Sequence, residues 1–142
     1  MDLQFKGKVA LVTGAGSQVG FGRETALLFA REGIDAVAVT DINLEDTEKT
    51  AAAVRDAGAK SIALQADITD GAAVTAMVKQ ALDEYGRIDI LCNVAGGILH
   101  KDGIPIEEQD PAVWEKQLKL NLVGSMNVTR AVVPQMRTQG YG

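Results

Sequence analysis

The stretch that decides the fold is a glycine-rich turn, Val12-Thr13-Gly14-Ala15-Gly16-Ser17-Gln18-Val19-Gly20-Phe21-Gly22. It follows an apolar run at residues 8–12 and precedes a segment whose apolar residues recur at helical spacing. Glycines at such a turn permit positive φ and close approach of a ligand to the backbone, while the free amides that open the helix bind pyrophosphate. The turn therefore predicts a dinucleotide site, with a tight turn that binds nothing as the alternative. The candidate cofactor-binding residues in it are Gly14, Ser17, Gly20, Phe21 and Gly22.

The same strand–helix unit recurs along the chain. Strands are predicted at 8–12, 36–40, 61–66 and 88–92. Helices are predicted from Gly22 to Gly33, after an Asn43 cap, from Thr69 or Asp70 to Gly86, and after Asp110-Pro111, with Pro134 kinking or ending the last one. Nearly continuous apolar strands that alternate with helices indicate a Rossmann-type α/β fold, a doubly wound parallel sheet between two layers of helices.

The domain organisation follows from the same pattern. The sequence contains no internal linker or low-complexity segment, so residues 1–142 are expected to form a single NAD(P)-binding Rossmann domain. In the strand order 3-2-1-4-5-6, only the first four strands are present, and strand four is left as an apolar edge. The chain is therefore expected to stop before a fifth strand.

Composition excludes several classes of function. Nineteen acidic against fourteen basic residues give a charge of −5, and no Lys/Arg cluster is visible, so nucleic acid is disfavoured as a partner. No apolar stretch approaches the length of a membrane span, and the N-terminus lacks the apolar region of a secretory signal. The single cysteine, Cys92, predicts an inert core thiol in a reducing compartment, and hence a cytoplasmic protein with no cysteine-cluster metal site.

An acidic residue ends the second predicted strand. Asp41 lies about twenty residues beyond the glycine turn, where a carboxylate accepts hydrogen bonds from the adenosine ribose and repels a 2′-phosphate. The next residue, Ile42, is a further candidate cofactor-binding residue, and neither it nor Asn43 supplies positive charge for that phosphate. NAD is therefore favoured over NADP as the cofactor. The alternative is that Asp41 only caps the following helix.

Taken together, these segments resemble the short-chain dehydrogenase/reductase family. The similarity runs from about Phe5 to Gly142 and includes the strand–turn opening at 6–14 and a stretched form of the family's T-G-x-x-x-G-x-G cofactor loop. Asp67 and Ile68 resemble the adenine-contacting position of the family and the residue after it. Residues 93–96 resemble the N-N-A-G signature, so the resemblance implies cofactor contacts from Asn93, Ala95 and Gly96.

Two departures from the family pattern affect the cofactor loop and the signature. Gly14 and Gly20 enclose five residues instead of three, so Gln18-Val19 is interpreted as a two-residue insertion. Val94 stands where the family has a second asparagine, which removes a side-chain hydrogen-bonding group. The phosphate cradle is expected to survive the insertion, with the amides that contact the pyrophosphate left open, and the backbone path beside the cofactor is expected to be unchanged at Val94.

The resemblance also implies a catalytic group. Asn121 matches the asparagine of the family's Asn-Ser-Tyr-Lys set, where it would bind a water that links the lysine to solvent; a helix interruption is the alternative. The family's tyrosine acts as general acid/base and its serine holds the substrate oxygen. No Tyr-x-x-x-Lys occurs in these 142 residues. The chain alone is therefore predicted to be inactive.

Other candidate residues are weaker. His100, the only histidine, is expected in a surface loop, on the side where such sheets bind ligands. Trp114 and the apolar stripe around it are interpreted as core, with a subunit interface as the second interpretation because the family packs that helix against a partner. The acidic run at 107–110 is interpreted as a solvated helix entry, so no metal is expected.

Two functional hypotheses follow. The first is an NAD-dependent short-chain oxidoreductase that transfers hydride between nicotinamide and a small secondary alcohol or ketone, as a homo-oligomer (dimer or tetramer), of which this chain is the cofactor-binding part. The second is a non-catalytic dinucleotide-binding module. The sequence of any segment beyond Gly142 would discriminate between them, because the serine and the Tyr-x-x-x-Lys pair would lie there.

Overall fold

A parallel four-stranded sheet forms the centre of the computed structural model, which describes residues 4–99 and 103–142. The strands are β1 (Val9–Thr13), β2 (Ala36–Asp41), β3 (Lys60–Gln65) and β4 (Ile90–Cys92). Their order is β3-β2-β1-β4, and Ala10 pairs with Val37 on one side and with Ile90 on the other. The predicted doubly wound arrangement of four parallel strands is confirmed.

Helices connect the strands and continue after the last one. They are α1 (Phe21–Arg31), α2 (Leu44–Asp56), α3 (Gly71–Tyr85), α4 (Pro111–Leu118) and α5 (Gly124–Gln139). A short 3₁₀ turn, Ile106–Glu108, precedes α4, and a π-helical segment, Lys119–Val123, joins α4 to α5. The predicted caps are confirmed, since the side chains of Asn43, Asp70 and Asp110 accept hydrogen bonds from first-turn amides.

The helices form two layers because residues alternate along each strand. Ala10 and Val12 face α1 and α2, whereas Leu11 between them faces α3 and α5. The first layer packs small residues such as Ala26 and Ala51 against the sheet, and the second packs Met77 and Val128. β1 is buried along its whole length, while β3 and β4 are partly exposed because they are the two edges of the sheet.

Three expectations about the last helices and strand are corrected. Pro134 does not end the helix, because α5 continues to Gln139. Trp114, Leu118 and Leu122 are exposed rather than core, because they lie on the side of the helices that faces away from the sheet. β4 begins at Ile90 instead of Ile88, and Cys92 is only half-buried at this sheet edge.

Across residues 4–99 and 103–142, no helix is both long enough and apolar enough to cross a membrane.

Candidate functional site

A cleft of about 340 Å³ lies at the carboxyl ends of the strands. In parallel α/β sheets, ligands bind at the carboxyl ends of the strands, at the point where the order of the strands changes direction. Here that point lies at β1, because β2 and β3 are added on one side of it and β4 on the other. The cleft brings together most of the predicted cofactor-binding residues. Those that line it are Gly14, Ser17, Asp41, Ile42, Asp67, Ile68, Ala95 and Gly96.

The glycine turn is packed as closely as glycine permits. Gly14 has φ +69°, and a Cβ there would lie 2.6 Å from the backbone nitrogen of Ala95. A Cβ at Gly22 would lie 2.7 Å from the carbonyl carbon of Gly14. The two-residue insertion therefore leaves the first and last glycines of the turn in contact.

The start of α1 is open to an anion. Gly20 is the N-cap and contributes no capping side chain, so the first-turn amides are not satisfied by a side chain. Helix N-termini of this kind bind phosphate groups through those amides and the helix dipole. Gly20, Phe21 and Gly22 belong to this turn but do not line the cleft, and the Phe21 side chain is exposed.

Asp41 connects the end of β2 to the glycine turn. Its Oδ2 accepts a hydrogen bond of 2.9 Å from the amide of Gly16, and its Oδ1 accepts one of 2.7 Å from the amide of Ile42. A Cβ at Gly16 would lie 2.7 Å from the Asp41 carboxyl carbon, so no larger residue fits there without movement. Oδ1 also accepts a longer bond of 3.4 Å from the amide of Asn43, so Oδ2 is the oxygen that retains acceptor capacity for a ligand hydroxyl.

The third strand contributes one exposed and one buried residue. Asp67 follows β3, and its Oδ1 accepts a hydrogen bond of 2.8 Å from the amide of Thr69. The Ile68 side chain is buried and would be 2.5 Å from a Cβ at Gly124. Close packing of Ile68 against the start of α5 fixes this wall of the cleft.

Thr13 holds the segment after β4, and sequence reasoning missed it. Its buried Oγ1 accepts hydrogen bonds of 3.1 Å from the amides of both Val94 and Ala95. The path of residues 94–95 is therefore set by hydrogen bonds from their backbone amides to the Thr13 side chain, and these bonds do not depend on which side chain residue 94 carries. This explains how valine is accommodated in the signature.

Asn121 lies in the π-helical segment. It does not line the cleft, but it bonds Gly97, the residue after the part of the cleft wall that Ala95 and Gly96 form. Its Oδ1 accepts a hydrogen bond of 2.9 Å from the amide of Gly97, and its Nδ2 donates to the carbonyl oxygens of Gly97 and Gln117 at 2.9 Å each. The Gln117 side chain also bonds Gly97 and accepts from the amide of Leu99. Single π turns often occur at functional sites.

Several further residues line the cleft that were not among the predicted site residues. Thr40, Ala66, Val94 and Leu120 line the cleft as well. The buried Oγ1 of Thr40 has no hydrogen-bond partner within the described residues. Strand-end position was the signal that could have identified Thr40 and Ala66.

Two predicted residues lie apart from the cleft or outside the description. Asn93 does not line the cleft, and its Nδ2 donates a hydrogen bond of 3.0 Å to Thr129 Oγ1. His100 lies outside the described residues.

The half-buried tyrosine and cysteine are poor acid/base groups. Burial, with the charge of Glu84, raises the pKa of Tyr85 to about 12, so its phenol stays protonated near neutral pH. Burial also raises the pKa of the Cys92 thiol. Neither group is suited to take a proton from a substrate.

Comparison with known proteins identifies relatives along nearly the whole chain. A sequence model described as short chain dehydrogenase matches residues 8–142. The chain is 42% identical to the short-chain reductase protein NovJ of Streptomyces niveus over 134 residues, which are 94% of this chain and 49% of that protein. It is 37% identical to cyclohexanol dehydrogenase of a Rhodococcus species, covering 99% of this chain and 56% of the relative. The chain thus spans about half the length of the curated relatives it matches.

Solved structures show the same fold. The crystal structure of NAD⁺-bound xylitol dehydrogenase superposes with a TM-score of 0.90 at 38% identity, covering 98% of this chain and 52% of the other. Hydroxysteroid dehydrogenase from Escherichia coli superposes with a TM-score of 0.87 at 32% identity, covering 98% and 56%.

Proposed function

Because this chain belongs to the short-chain dehydrogenase family, we propose that it is the NAD-binding part of an oxidoreductase that acts on a secondary alcohol or ketone. The single observation that carries the choice of cofactor is the position of Asp41. Its carboxylate lines the cleft between the glycine turn and the start of α2. A negative charge at that place favours ribose hydroxyls and repels a 2′-phosphate.

The cleft also fits such a cofactor on grounds other than charge. The glycine turn would be blocked by a Cβ at Gly14, Gly16 or Gly22, which supports close approach of a ligand to the backbone. The first turn of α1 lacks a capping side chain, and among residues 4–99 and 103–142 the buried hydroxyl of Thr40 at the cleft wall has no hydrogen-bond partner. Orphaned polar groups of this kind are expected where a ligand completes the site.

Each part of the cleft has a proposed role in binding. Asp41 would hold the adenosine ribose, the first turn of α1 the pyrophosphate, and Asp67 with Ile68 the adenine. Ala95 and Gly96 would form the wall beside the nicotinamide. The bound cofactor supplies the acceptor or donor of a hydride.

Asn121 is proposed to position this wall. Both hydrogens of its Nδ2 are engaged by the carbonyl oxygens of Gly97 and Gln117, so its side chain has no donor left for a water. The proton relay that the family resemblance implies would then run through its backbone oxygen. That oxygen also accepts a hydrogen bond of 3.2 Å from Ser125 Oγ.

Proton transfer to or from the substrate requires a group that these 142 residues do not supply. No Tyr-x-x-x-Lys occurs in the sequence, and the pKa of Tyr85 is raised to about 12 by burial. We therefore propose that the chain alone binds NAD without turnover.

The test is calorimetric titration of the chain with NAD and with NADP, repeated for Asp41→Ser. The chain is expected to bind NAD more tightly than NADP. Asp41→Ser is expected to weaken NAD binding about tenfold and to strengthen NADP binding. Equal binding of both cofactors by the unmodified chain would refute the choice of NAD. Hydride transfer by the chain with NAD and a secondary alcohol would refute the proposed lack of turnover.

The exposed apolar side of the last helices supports a homo-oligomer. Leu118, Leu122 and Met126 are 46–65% exposed on this side of α4, the π segment and α5. Apolar patches of this kind mark association surfaces. Sedimentation of the chain over a range of concentrations is expected to show self-association, which Leu122→Glu should reduce.

A further inference from the structure

Gln18 links the glycine turn to the start of α2. Its Nε2 donates hydrogen bonds of 2.8 Å to the carbonyl oxygen of Gly16 and 3.0 Å to that of Asp46, and lies 3.4 Å from Thr50 Oγ1. Gly16 and Asp46 belong to different elements, with the Asp41 carboxylate adjacent to the first of them. One side chain of the inserted pair therefore connects the two elements that border Asp41.

Other bonds hold the same turn in the same place. The Thr50 hydroxyl donates a buried hydrogen bond of 2.7 Å to the carbonyl oxygen of Ala15, and the amide of Ala15 donates to the carbonyl oxygen of Thr40 at 3.1 Å. The amide of Gly16 donates to Asp41. Residues 15 and 16 are thus held from the β2 side and from the α2 side.

We propose that Gln18 is a positioning residue for cofactor selectivity, which keeps the turn so close to α2 that a 2′-phosphate has no room beside Asp41. The inference rests on the proposed function, because it concerns how the same cleft distinguishes NAD from NADP. Gln18 does not line the cleft and acts through Gly16. Selectivity then has two components, the charge of Asp41 and the position of the turn.

Space between the turn and Asp41 is limited. A Cβ at Gly16 would already be 2.7 Å from the Asp41 carboxyl carbon, so the turn and the end of β2 are in direct contact. A phosphate between them would need the turn to move away, and the Gln18 bonds to Asp46 and Thr50 oppose that movement. Asp41→Ser removes the charge and the carboxyl group but leaves the Gln18 bonds that hold the turn against α2, so it improves NADP binding only in part, and Gln18→Ala releases the turn but leaves the charge.

This coupling is tested with a double-mutant cycle on the whole chain. The variants are Gln18→Ala, Asp41→Ser and the double variant, with NAD and NADP affinities measured by calorimetry. Val19→Ala is the matched control, since Val19 is the neighbouring inserted residue and its side chain is 95% exposed. Circular dichroism of each variant confirms that the fold is retained.

The two substitutions are expected to be non-additive for NADP. Gln18→Ala alone should weaken NAD binding about threefold and leave NADP binding weak. The control variant, Val19→Ala, should change neither affinity. In the double variant, NADP should bind at least about threefold more tightly than the product of the two single effects.

Other outcomes separate the two proposals. If the unmodified chain prefers NAD but the double variant binds NADP no better than Asp41→Ser, the role of Gln18 is refuted and the proposed function stands. Equal weakening of NAD and NADP by Gln18→Ala would show a purely structural role and also refute it. If the unmodified chain does not prefer NAD, both proposals fail.

Discussion

The side chain of Asn121 binds both backbone polar atoms of Gly97. Its Oδ1 accepts a hydrogen bond from the Gly97 amide, and its Nδ2 donates one to the Gly97 carbonyl oxygen, at 2.9 Å each. A Cβ at the preceding residue, Gly96, would lie 2.5 Å from Asn121 Oδ1, so the chain passes directly over the amide group. An asparagine is suited to this contact because one planar group offers an acceptor and a donor together. The wall of the cleft after β4 is thereby fixed to the π-helical segment.

Asn121→Asp is expected to release this wall. A carboxylate still accepts from the Gly97 amide, but its second oxygen would face the carbonyl oxygens of Gly97 and Gln117 without a proton to share. The loss should be about 1 kcal/mol of unfolding free energy, with weaker NAD binding. Urea unfolding and calorimetry measure the two effects.

Asn93→Asp is the matched control for that substitution. The Nδ2 of Asn93 donates to the hydroxyl of Thr129, which itself donates to the carbonyl oxygen of Ser125, and residue 93 is exposed, so water can solvate a carboxylate there. Its effect on unfolding should be smaller. Equal losses at both positions would contradict the specific role of the Asn121 donor.

Thr13→Val should destabilise the chain although it keeps the shape of the side chain. The Thr13 hydroxyl is the acceptor for two amides, Val94 and Ala95, which valine would leave without it. We expect a loss of about 2 kcal/mol in thermal or urea unfolding, since unsatisfied amides are costly. Thr13→Ser retains the hydroxyl and should lose much less; a similar loss in both variants would exclude the hydrogen bonds as the cause.

Gly22→Ala should disturb the glycine turn. The added Cβ would lie 2.7 Å from the carbonyl carbon of Gly14, and backbone atoms cannot rotate away as a side chain does. Strain of this kind costs about 1 to 3 kcal/mol, and NAD binding should weaken with it. If Gly22→Ala changed neither the NAD affinity nor the unfolding free energy, the turn would be adaptable and the steric argument would be wrong.

Gly71→Ala provides the comparison for Gly22. Gly71 also begins a helix, but a Cβ there meets nothing within 4 Å. Alanine should therefore be neutral or stabilise the chain by about 0.5 kcal/mol, because it restricts the unfolded backbone. If the unfolding free energy falls for Gly22→Ala and is unchanged or rises for Gly71→Ala, steric contact and not helix propensity accounts for the loss at Gly22.

Local patterns predicted most of the fold and much of the cleft. Caps are predicted at Asn43, at Thr69 or Asp70, and at Asp110 because a capping side chain bonds amides two or three residues ahead in the sequence, and the structure selects Asp70 of the open pair. Strand ends in a parallel sheet meet at one edge, so Gly14, Asp41 and Asp67 were expected near one another. The structure brings these three to one cleft.

Contacts between distant side chains could not be predicted in the same way. Gln18 appeared as an insertion without a role, because its partners Asp46 and Thr50 lie about thirty residues away. The exposure of Trp114 was also missed, since helical apolar spacing is the same for a face that packs on the sheet and for one that does not.

Asp89 connects the start of β4 to β1 in a buried position. Its carboxylate is 2% exposed and accepts hydrogen bonds from the amide of Val9 at 2.9 Å and from Arg87 Nε at 2.8 Å. Burial by itself would raise the pKa of this carboxyl. The bonds from Arg87 and Val9, with the charges of Arg87 and Lys8, outweigh burial and hold the pKa below its ordinary value of 3.8.

Stability should therefore decline in acid in a way that Asp89→Asn removes. A group whose pKa is lower in the folded chain stabilises it fully above the ordinary value of 3.8, and this contribution is lost as the pH falls through the folded value. At pH 7 the variant should be less stable by about 2 kcal/mol, because it loses charge-assisted bonds to Arg87 while its amide oxygen still accepts from Val9. The difference between the two proteins should shrink as urea unfolding is repeated at lower pH. A difference that stays constant between pH 7 and pH 2 would show that the ionised form of Asp89 is not what stabilises the sheet.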